Sequence, residues 1–491
     1  MLTIHLLLTA GILVWVYFLW SRRRYYMVML KLPGPIGLPL IGIALELFIH
    51  KIKCSVFTRI LNKHGSTVFT WIGPVPTLIT RDPKMVQDIL TSPECIDRSS
   101  VAANAMVTNC GHSILTLSEP LWSERRKQMN LAFKQNILLS FFPTFNTETN
   151  LLLTLLDSHA GQGEKDLFTD VLRWSFAIAF QTTVGADIQQ EEGFKNDMLL
   201  KCFQSGIKLA TLNIAVPLTQ IGVIAKLSGN EKQRAKSFAT VHPVFDSIIE
   251  KKLSSNADNS SETDVKLVID RAIGLYKTGK ISWAEVRSEC CIMVLGSFET
   301  TALAVYHALT LLAMHPEFQD TVYEELNEVY PTRGDFDVAY EDLQKLVYLE
   351  RVVNETLRLI PSIPSDLREP SKDFRLSSGV IIPKGVMIII DIFNTHRNPE
   401  IWGPDASKFN PDNFLPDNVR ARHPYAFIPF SKGRRNCIGW RYALLSSKLA
   451  LAKILRNFKV STSFRYEDLD FIQNVGMKLT ETPTLAFERR I

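Results

Sequence analysis

The sequence lacks the cysteine patterns of disulfide-rich and zinc-binding proteins. It has 491 residues but only seven cysteines, an odd number, and no two of them are spaced as C-x-x-C. Small secreted domains need paired cysteines and structural zinc sites need closely spaced ones, so both classes are excluded. Reduced thiols in a chain that faces cytosol fit this pattern best.

The sequence also lacks a charge imbalance and an internal linker. Its 55 Lys and Arg residues against 50 Asp and Glu give a net charge of only +5, which argues against a nucleic-acid-binding surface. No stretch rich in Pro, Gly and Ser divides the chain, and 46% of the residues are hydrophobic. We therefore expect one large globular domain, over residues 43–491.

The N-terminus predicts a retained membrane anchor. Residues 1–20 contain no charged side chain, and a 20-residue helix is about 30 Å long, the thickness of the hydrocarbon layer. Arg22, Arg23 and Arg24 follow at once and place the rest of the chain on the cytosolic side. A cleaved signal peptide is the alternative, but its positive charges would precede the apolar run. Residues 1–21 are thus predicted to be the anchor, and residues 22–42, basic and rich in proline, a hinge.

Helical periodicity dominates the rest of the sequence, and short runs of β-branched and aromatic residues predict strands. The predicted helices are 174–186, 196–210, 236–252 with an interruption at Pro243, 265–276, 283–314, 317–329, 343–359 and 441–457; the predicted strands are 67–72, 77–80, 380–382 and 387–390. The fold class is therefore mainly α with small β-sheets. The apolar segment 214–227 is too short to span a bilayer, and fits a core segment and a membrane-touching patch equally well.

The most informative motif is a cysteine between two glycines. Phe430, Gly433, Arg435, Cys437 and Gly439 stand just before the helical pattern 441–457. A helix N-terminus stabilises a thiolate, and glycines let the backbone approach a flat ligand, which suits a thiolate ligand to iron. A buried structural cysteine is the alternative, but five fixed residues recur by chance on the order of 10⁻⁴ times in a chain of this length.

These five residues resemble the haem-binding signature of the cytochrome P450 monooxygenases, and further motifs in the same order extend the resemblance to nearly the whole chain. The chain is similar to insect members of the clan that includes the fatty-acid ω-hydroxylases. The resemblance implies the cytochrome P450 fold, haem b and Cys437 as the axial ligand of the iron. It also implies that Trp122, Arg126, Arg368 and Arg435 bind the haem, with the arginines as propionate partners. For Arg125 we expect a solvated surface charge instead.

Glu355 and Arg358 lie one helical turn apart inside an apolar run, which predicts a buried structural pair. The resemblance supplies a third partner in the segment around Phe409–Phe414. The position usually filled by arginine is Asn413 here, so we expect a weaker three-way network.

Between Cys290 and Met314, within the predicted helix 283–314, the sequence is apolar nearly all round, yet it contains Gly296, Ser297, Glu299 and Thr300. A second membrane span is the alternative to a core helix, but it would place Glu299 in hydrocarbon. The resemblance assigns Glu299 and Thr300 to proton delivery toward bound dioxygen, with Gly296 offering its carbonyl. The family's usual second small residue is Ser297 here, whose hydroxyl either perturbs the groove or adds a hydrogen bond.

The resemblance implies a single-pass monooxygenase of the endoplasmic reticulum membrane that inserts one oxygen atom of O₂ into an apolar small molecule. Electrons would come from NADPH through a separate NADPH–cytochrome P450 reductase, with cytochrome b5 as a further partner, because no dinucleotide fingerprint is present. A haem-thiolate isomerase or lyase and a non-catalytic haem protein remain alternatives.

The resemblance also places several residues around the haem. The expected substrate-pocket residues are 101–117, Val294, Phe298, 362–367 and 475–477; the expected reductase-docking residues are Arg125, Lys127, Lys432 and Arg434. Because Gly296 stands where some relatives carry an esterified glutamate, we expect no covalent bond between haem and protein.

Overall fold

The computed structural model describes residues 2–35, 37, 41–187, 197–220, 222–227, 229–255, 266–332 and 336–490. The described chain is mainly helical, with short strands, as the sequence predicts. The helices are α1 (Leu2–Ser21), α2 (Arg23–Met29), α3 (Ala44–Ile49), α4 (Cys54–His64), α5 (Pro83–Thr91), α6 (Ser100–Cys110), α7 (Leu121–Met129), α8 (Gln135–Leu139), α9 (Phe142–His159), α10 (Phe168–Val184), α11 (Met198–Ala215), α12 (Gly222–Leu227), α13 (Asn230–Ser255), α14 (Val268–Lys277), α15 (Trp283–Met314), α16 (Pro316–Val329), α17 (Tyr340–Lys345), α18 (Val347–Leu359), α19 (Ile392–Thr395), α20 (Pro399–Trp402), α21 (Pro416–Ala421) and α22 (Trp440–Asn457).

The strands form one larger sheet and three two-stranded pairs among the described residues. They are β1 (Thr67–Ile72), β2 (Val75–Thr80), β3 (Ser365–Arg368), β4 (Phe374–Arg375), β5 (Ile381–Ile382), β6 (Met387–Asp391), β7 (Phe458–Ser461), β8 (Phe471–Gln473), β9 (Met477–Leu479) and β10 (Ala486–Arg489). The larger sheet has the order β1-β2-β6-β3, in which β2 and β6 are parallel and the other pairs antiparallel. The small pairs are β10-β7, β4-β5 and β8-β9.

Helix α15 is the central helix of the fold. Ser282 caps its first turn and forms a reciprocal capping box with Glu285, which fixes where the helix begins. Helix α15 is long and apolar enough to cross a membrane, but 83% of its most apolar window is buried inside the protein, whereas residues Thr9–Ser21 of α1 form a shorter apolar stretch. Helix α15 packs against α10, α14, α18 and α22 and is therefore a core helix, as the sequence predicts.

The predicted hinge is partly packed against the body of the protein. The Arg22 guanidinium donates to the carbonyl of Pro74 at 2.8 Å, and the amide of Phe69 donates to Pro33 at 2.9 Å. Val28, in α2, is 3% exposed. Met1, Ile36 and residues 38–40 lie outside the described residues. Residues 22–35 therefore stand in fixed contact with the first two strands.

Two helix predictions are wrong at a proline and at a turn. Helix α13 continues through Pro243. Proline has no N–H to donate to the carbonyl of Ala239, but Ala239 is exposed, so solvent can donate to that carbonyl instead. The predicted helix 343–359 is two helices, α17 and α18, separated at Leu346, which has ψ of 71°. Periodicity reports which residues face the core and is blind to such a single-residue break.

The segment 214–227 ends α11 and continues into α12, with residue 221 outside the described residues. Val223 and Leu227 are 70% and 83% exposed, so the core alternative fails for α12. The Gly73 amide donates to Ile41 just before α3, and α11, which leads into segment 214–227, packs against α3. Segment 214–227 and α3 together form an exposed apolar surface near α1 and α2.

Candidate active site

A cavity of about 420 Å³ lies between α15, the turn after α18 and the loop before α22. This volume is within the range of sites for cofactors and small molecules. Cys437 lines one side of it and Gly296, Glu299 and Thr300 line the other. The tertiary structure thus brings the cysteine motif and the acid–alcohol pair to one space, although they are far apart in sequence.

The cysteine loop is held in place from its backbone. The Cys437 amide donates to the carbonyl of Phe430 at 2.9 Å, and Gly439 caps α22. At Gly433 φ is +78°, and a Cβ would collide with the carbonyl oxygen of Leu90, so this position requires glycine. The accessible surface of Cys437 faces the cavity, and protein atoms enclose the residue within the fold, whereas Phe430 is partly buried beside the cavity.

The electrostatics at Cys437 balance burial against nearby positive charge. Burial raises the pKa of the Cys437 thiol, and the Gly439 amide and the guanidiniums of Arg126 and Arg98 oppose that rise. Arg126 donates to the carbonyl of Asn436 at 2.8 Å and to its side-chain oxygen at 3.0 Å, which orients the residue next to the cysteine. The donors and cations offset only part of the effect of burial, so the pKa of the Cys437 thiol stays raised.

Three guanidiniums, those of Arg98, Arg126 and Arg435, line the cavity. Burial, reinforced by Arg98 and Arg368, lowers the pKa of Arg435 to about 9. The Nε atoms of Arg98 and Arg435 are buried without a hydrogen-bond partner. Trp122 is 2% exposed and lies 4.9 Å from the Arg435 guanidinium, against which its ring packs. Crowded cations with unused donors form a site for anionic groups.

Arg368 lies beside the cavity but does not line it. Its guanidinium donates to Asp366 at 2.7 Å and to the carbonyl of Ile96 at 2.9 Å. Burial by itself would raise the pKa of Asp366, but Arg368 and Arg98 outweigh it and lower the pKa to about 2. Asp366 also accepts from Ser431 Oγ at 2.7 Å, and Ser431 has a φ of +59°. This ion pair therefore holds a strained residue of the cysteine loop.

Arg98 and Ser431 are absent from the residues that the sequence singled out, and Asp366 lies in the predicted pocket segment 362–367 without the role that its ion pair with Arg368 gives it. Arg98 reaches the cavity because its backbone forms an isolated β-bridge with Arg368, a long-range contact. No local pattern marks it, since arginine in a polar segment is ordinarily a surface residue.

The groove in α15 is open at Gly296, where a Cβ would have no heavy atom within 4 Å. The Thr300 hydroxyl donates to the Gly296 carbonyl at 2.7 Å. The Ser297 hydroxyl donates to Met293 at 2.8 Å, within its own helix. Of the two alternatives for Ser297, the structure therefore has the added hydrogen bond, made within α15.

Glu299 points to the C-terminal hairpin of β8 and β9. Its Oε1 atom lies 2.6 Å from Lys478 Nζ, and the Glu299 side chain is only 4% exposed. Oε1 has no aligned hydrogen-bond donor among the described residues, so the contact is an ion pair rather than a directed hydrogen bond. No local pattern in the sequence marks Lys478, because the hairpin lies far from α15 along the chain.

Glu355 and Arg358 form the buried pair that the sequence predicts. Both side chains are 0% exposed, and two guanidinium nitrogens each lie 2.7 Å from a Glu355 oxygen. Asn413 donates to Glu355 at 3.1 Å, so the third partner is present as a hydrogen bond and adds no charge. The network stands away from the cavity and fixes α18 to the segment before the cysteine loop.

The prediction that Arg125 is a solvated surface charge is wrong. Arg125 is 8% exposed and forms ion pairs with Glu289 and with Glu285, the second at 3.0 Å. Glu289 is fully buried and also accepts from the amide of Ile114 at 3.0 Å. Arg125 therefore joins α7 to α15 and cannot belong to a docking surface. The continuous run of charged residues 124–127 in α7 hid this, because which of them is buried depends on α15.

The cavity lining differs in part from the predicted pocket. Residues 362–367, Val475 and Gly476 line it, as do Ala102, Ala103, Met106, Ile114 and Leu115. Val294 and Phe298 are instead fully buried, and Phe298 packs edge-on against Phe176 with ring centroids 5.0 Å apart. They lie four residues apart on the face of α15 that is turned from the cavity.

The site fits haem by its donor set. An apolar cavity of sufficient size places a cysteine on one side and three guanidiniums around it, two with unused buried Nε atoms. Cys437 can ligate iron, and the guanidiniums of Arg98, Arg126 and Arg435 can hold two carboxylates. Fold and site thus define a helical protein built to hold a flat anionic cofactor between a cysteine and an acid–alcohol pair.

A sequence model of the family described as Cytochrome P450 matches residues 32–485. Probable cytochrome P450 313a3 of Drosophila melanogaster is 55% identical over 489 residues, covering 99% of each chain. Probable cytochrome P450 313a1 of the same species is 53% identical over 491 residues, covering all of both. Cytochrome P450 4c3, also of that species, is 28% identical over 514 residues, covering 98% of this chain and 94% of that protein.

The chain therefore belongs to the cytochrome P450 family. The predicted fold class, the insect-type resemblance and the assignment as a P450 monooxygenase are confirmed. The family uses haem with a cysteine thiolate ligand, takes electrons from redox partners and acts on small molecules.

Proposed function

We propose that this chain is a single-pass monooxygenase of the endoplasmic reticulum membrane that inserts one oxygen atom of O₂ into an apolar, uncharged small molecule. Electrons come from NADPH through a separate NADPH–cytochrome P450 reductase, with cytochrome b5 as a second donor. The observation that carries this proposal is the cavity that has Cys437 on one side and Glu299 with Thr300 on the other.

The cofactor in this proposal is haem b, bound without a covalent ester. Cys437 ligates the iron, Trp122 packs against Arg435, and Arg98, Arg126 and Arg435 hold the propionates, while Arg368 acts through Asp366. Gly296 has no carboxylate to form an ester. When bound, the haem supplies the binding and reductive cleavage of dioxygen.

Thr300 and Glu299 carry the acid–base role. The Thr300 hydroxyl lines the cavity and at rest donates its one proton to the Gly296 carbonyl, so it must turn away from Gly296 before it can donate to a group in the cavity. Glu299 supplies the carboxylate, and it lies nearly one helical turn from Gly296, on the same face of α15 as that glycine. A proton taken up by Glu299 can pass toward Thr300 and leave the carboxylate charged again.

The substrate class follows from the charges around the cavity. Apart from Glu299, which is paired with Lys478, the charged residues of the lining are Arg98, Arg126, Asp366 and Arg435. These four stand together near Cys437, where two propionates would use the cations. An ionised substrate therefore finds no counterion left among the described lining residues, the rest of which are uncharged, such as Leu47, Ile52 and Phe57.

Membrane attachment rests on two features. Apolar side chains of α1 such as Ile12 and Tyr17 are 63% and 67% exposed, a pattern that needs lipid around it. The exposed apolar surface of α3 and segment 214–227 stands on the same side, and Leu47, Ile214 and Ala215 also line the cavity. A lipophilic substrate can therefore reach the cavity from the membrane. In this proposal residues 1–21 are the anchor and 43–491 the catalytic domain.

The reductase contacts the surface over the cysteine loop. Lys127 and Arg434 are exposed and Lys432 is half-buried at this surface, which suits an acidic partner. Arg125 has no part in it, for the reason given above.

The proposal is tested with full-length protein in phospholipid nanodiscs. The reduced protein with carbon monoxide should show the red-shifted Soret band of thiolate ligation, and Cys437→Ala should lose it. A histidine-type band in the wild type would overturn the assignment of Cys437. With reductase and NADPH, a screen of neutral lipids, terpenoids, steroids and insecticides should identify a substrate. Conversion without NADPH would instead favour an isomerase or lyase.

A further inference from the structure

We propose that Lys478 is a positioning residue that holds the Glu299 carboxylate as the proton relay between solvent and the cavity. The inference rests on the proposed function and adds to it a residue outside α15. Lys478 stands in β9 of the C-terminal hairpin, and its ammonium lies 2.6 Å from Glu299 Oε1.

The pair connects the interior with solvent. The Glu299 side chain is 4% exposed and lines the cavity, whereas the Lys478 side chain is 23% exposed. A buried carboxylate is stable as an anion only beside a counterion or good donors. Because Oε1 has no aligned donor among the described residues, we infer that the charge of Lys478 holds the Glu299 carboxylate in this orientation.

The hairpin is fastened to α15, so the position of Lys478 is defined. The Met477 amide donates to the carbonyl of Ser362 at 2.8 Å, and Ser362 Oγ donates to the carbonyl of Thr300 at 2.9 Å. Gly476 permits the close approach, because a Cβ there would stand 2.9 Å from Leu303 Cδ1 and 3.4 Å from Glu299 Oε2. The same hairpin that carries Lys478 is thus tied to the residue that bears the relay hydroxyl.

The step itself moves one proton. Glu299 accepts a proton from solvent water at the hairpin edge and gives it up on the cavity side, so the carboxylate returns to its anionic form. Lys478 keeps its own protons throughout and acts by charge. Without that charge the carboxylate either keeps the proton or turns away, and delivery to the cavity slows.

The test compares Lys478→Met with Lys478→Arg in full-length protein reconstituted with reductase. Lys478→Met should raise the peroxide formed per NADPH several-fold and lower product formation about tenfold. Lys478→Arg should restore both, since it keeps the charge. The matched control is Lys459→Met, an exposed lysine of β7, which should behave as wild type. Unchanged coupling in Lys478→Met would overturn the proposal, as would failure of arginine to restore it.

A second measurement does not depend on turnover. Infrared difference spectra against Glu299→Gln isolate the carboxylate bands of Glu299. These bands should shift in Lys478→Met and stay at the wild-type position in Lys478→Arg and Lys459→Met. Unshifted bands in a folded Lys478→Met protein would show that the ion pair is absent, whether or not the protein is a monooxygenase. If the wild type oxidises no substrate with NADPH while the bands still shift in Lys478→Met, the proposed function is refuted and the ion pair is retained.

Discussion

Replacing Arg358 by methionine should prevent the protein from accumulating in a folded, haem-bound form. The side chain is fully buried, and all five of its N–H donors have acceptors. Two go to Glu355, and the others go to the carbonyls of His396, Ala406 and Lys408 at 2.9, 2.5 and 2.9 Å. Methionine would leave a buried carboxylate without its counterion and three buried carbonyls without this donor.

The magnitude follows from these contacts. Removing one partner of a buried ion pair costs about 3–5 kcal/mol. Each buried carbonyl left without a donor adds about 1–3 kcal/mol. Together these penalties are as large as the whole stability of a typical domain, about 5–15 kcal/mol. Asn413→Ala, by contrast, removes one hydrogen bond to a Glu355 oxygen that still accepts from the Asn410 amide and from Arg358. This variant should therefore lower the free energy of unfolding by only about 1 kcal/mol.

The assay is the reduced carbon-monoxide absorbance per mole of polypeptide for full-length protein, followed by urea unfolding of the variants that fold. Arg420→Met is the matched control, because Arg420 pairs with Asp417 on the surface with 72% and 90% of the two side chains exposed. Such a pair contributes about 0–1 kcal/mol. The reasoning would be refuted if Arg358→Met folded with a stability within about 1 kcal/mol of Arg420→Met.

Three further predictions concern pH, the haem linkage and the anchor. Burial raises the pKa of Glu289 to about 7 against the opposing Arg125 charge, so the folded state binds the proton more tightly than the unfolded state, whose value is 4.5. The free energy of unfolding of the wild type, minus that of Glu289→Gln, should therefore fall as the pH rises from 4.5 to 7 and stay constant above pH 7. Urea unfolding measures this difference, and a difference that does not change with pH would contradict the prediction. Acidified organic solvent should extract all the haem and leave a polypeptide of unmodified mass; haem retained in denaturing mass spectrometry would point to an ester, with Glu299 the nearest acid on α15. Deletion of residues 1–21 keeps the Arg22 contact to Pro74, so it should weaken membrane attachment and leave the carbon-monoxide spectrum unchanged. Deletion through residue 35 should also lower the stability of the domain, because it removes the Pro33 carbonyl that accepts from Phe69 and the buried Val28.

The elements of the fold were largely predictable because their signals are local. Helix α15 has the predicted bounds, and β1 likewise, since capping residues and periodicity act within a few residues of each other. The cysteine loop and the Glu355–Arg358 pair could also be found in the sequence, because glycine at fixed spacing and charges one turn apart are short-range patterns. The burial of Arg125 could not, since it depends on carboxylates of another helix.

The sequence by itself therefore determined the helices, the family and the residues that its motifs carry. Only the tertiary structure decided what surrounds them: that Arg98 lines the cavity while Arg368 binds Asp366, that Ser297 bonds within its own helix, and that Lys478 meets Glu299. The physical reason is that a motif records spacing along the chain, whereas burial and charge pairing depend on which distant segments pack together, and no local preference encodes that choice.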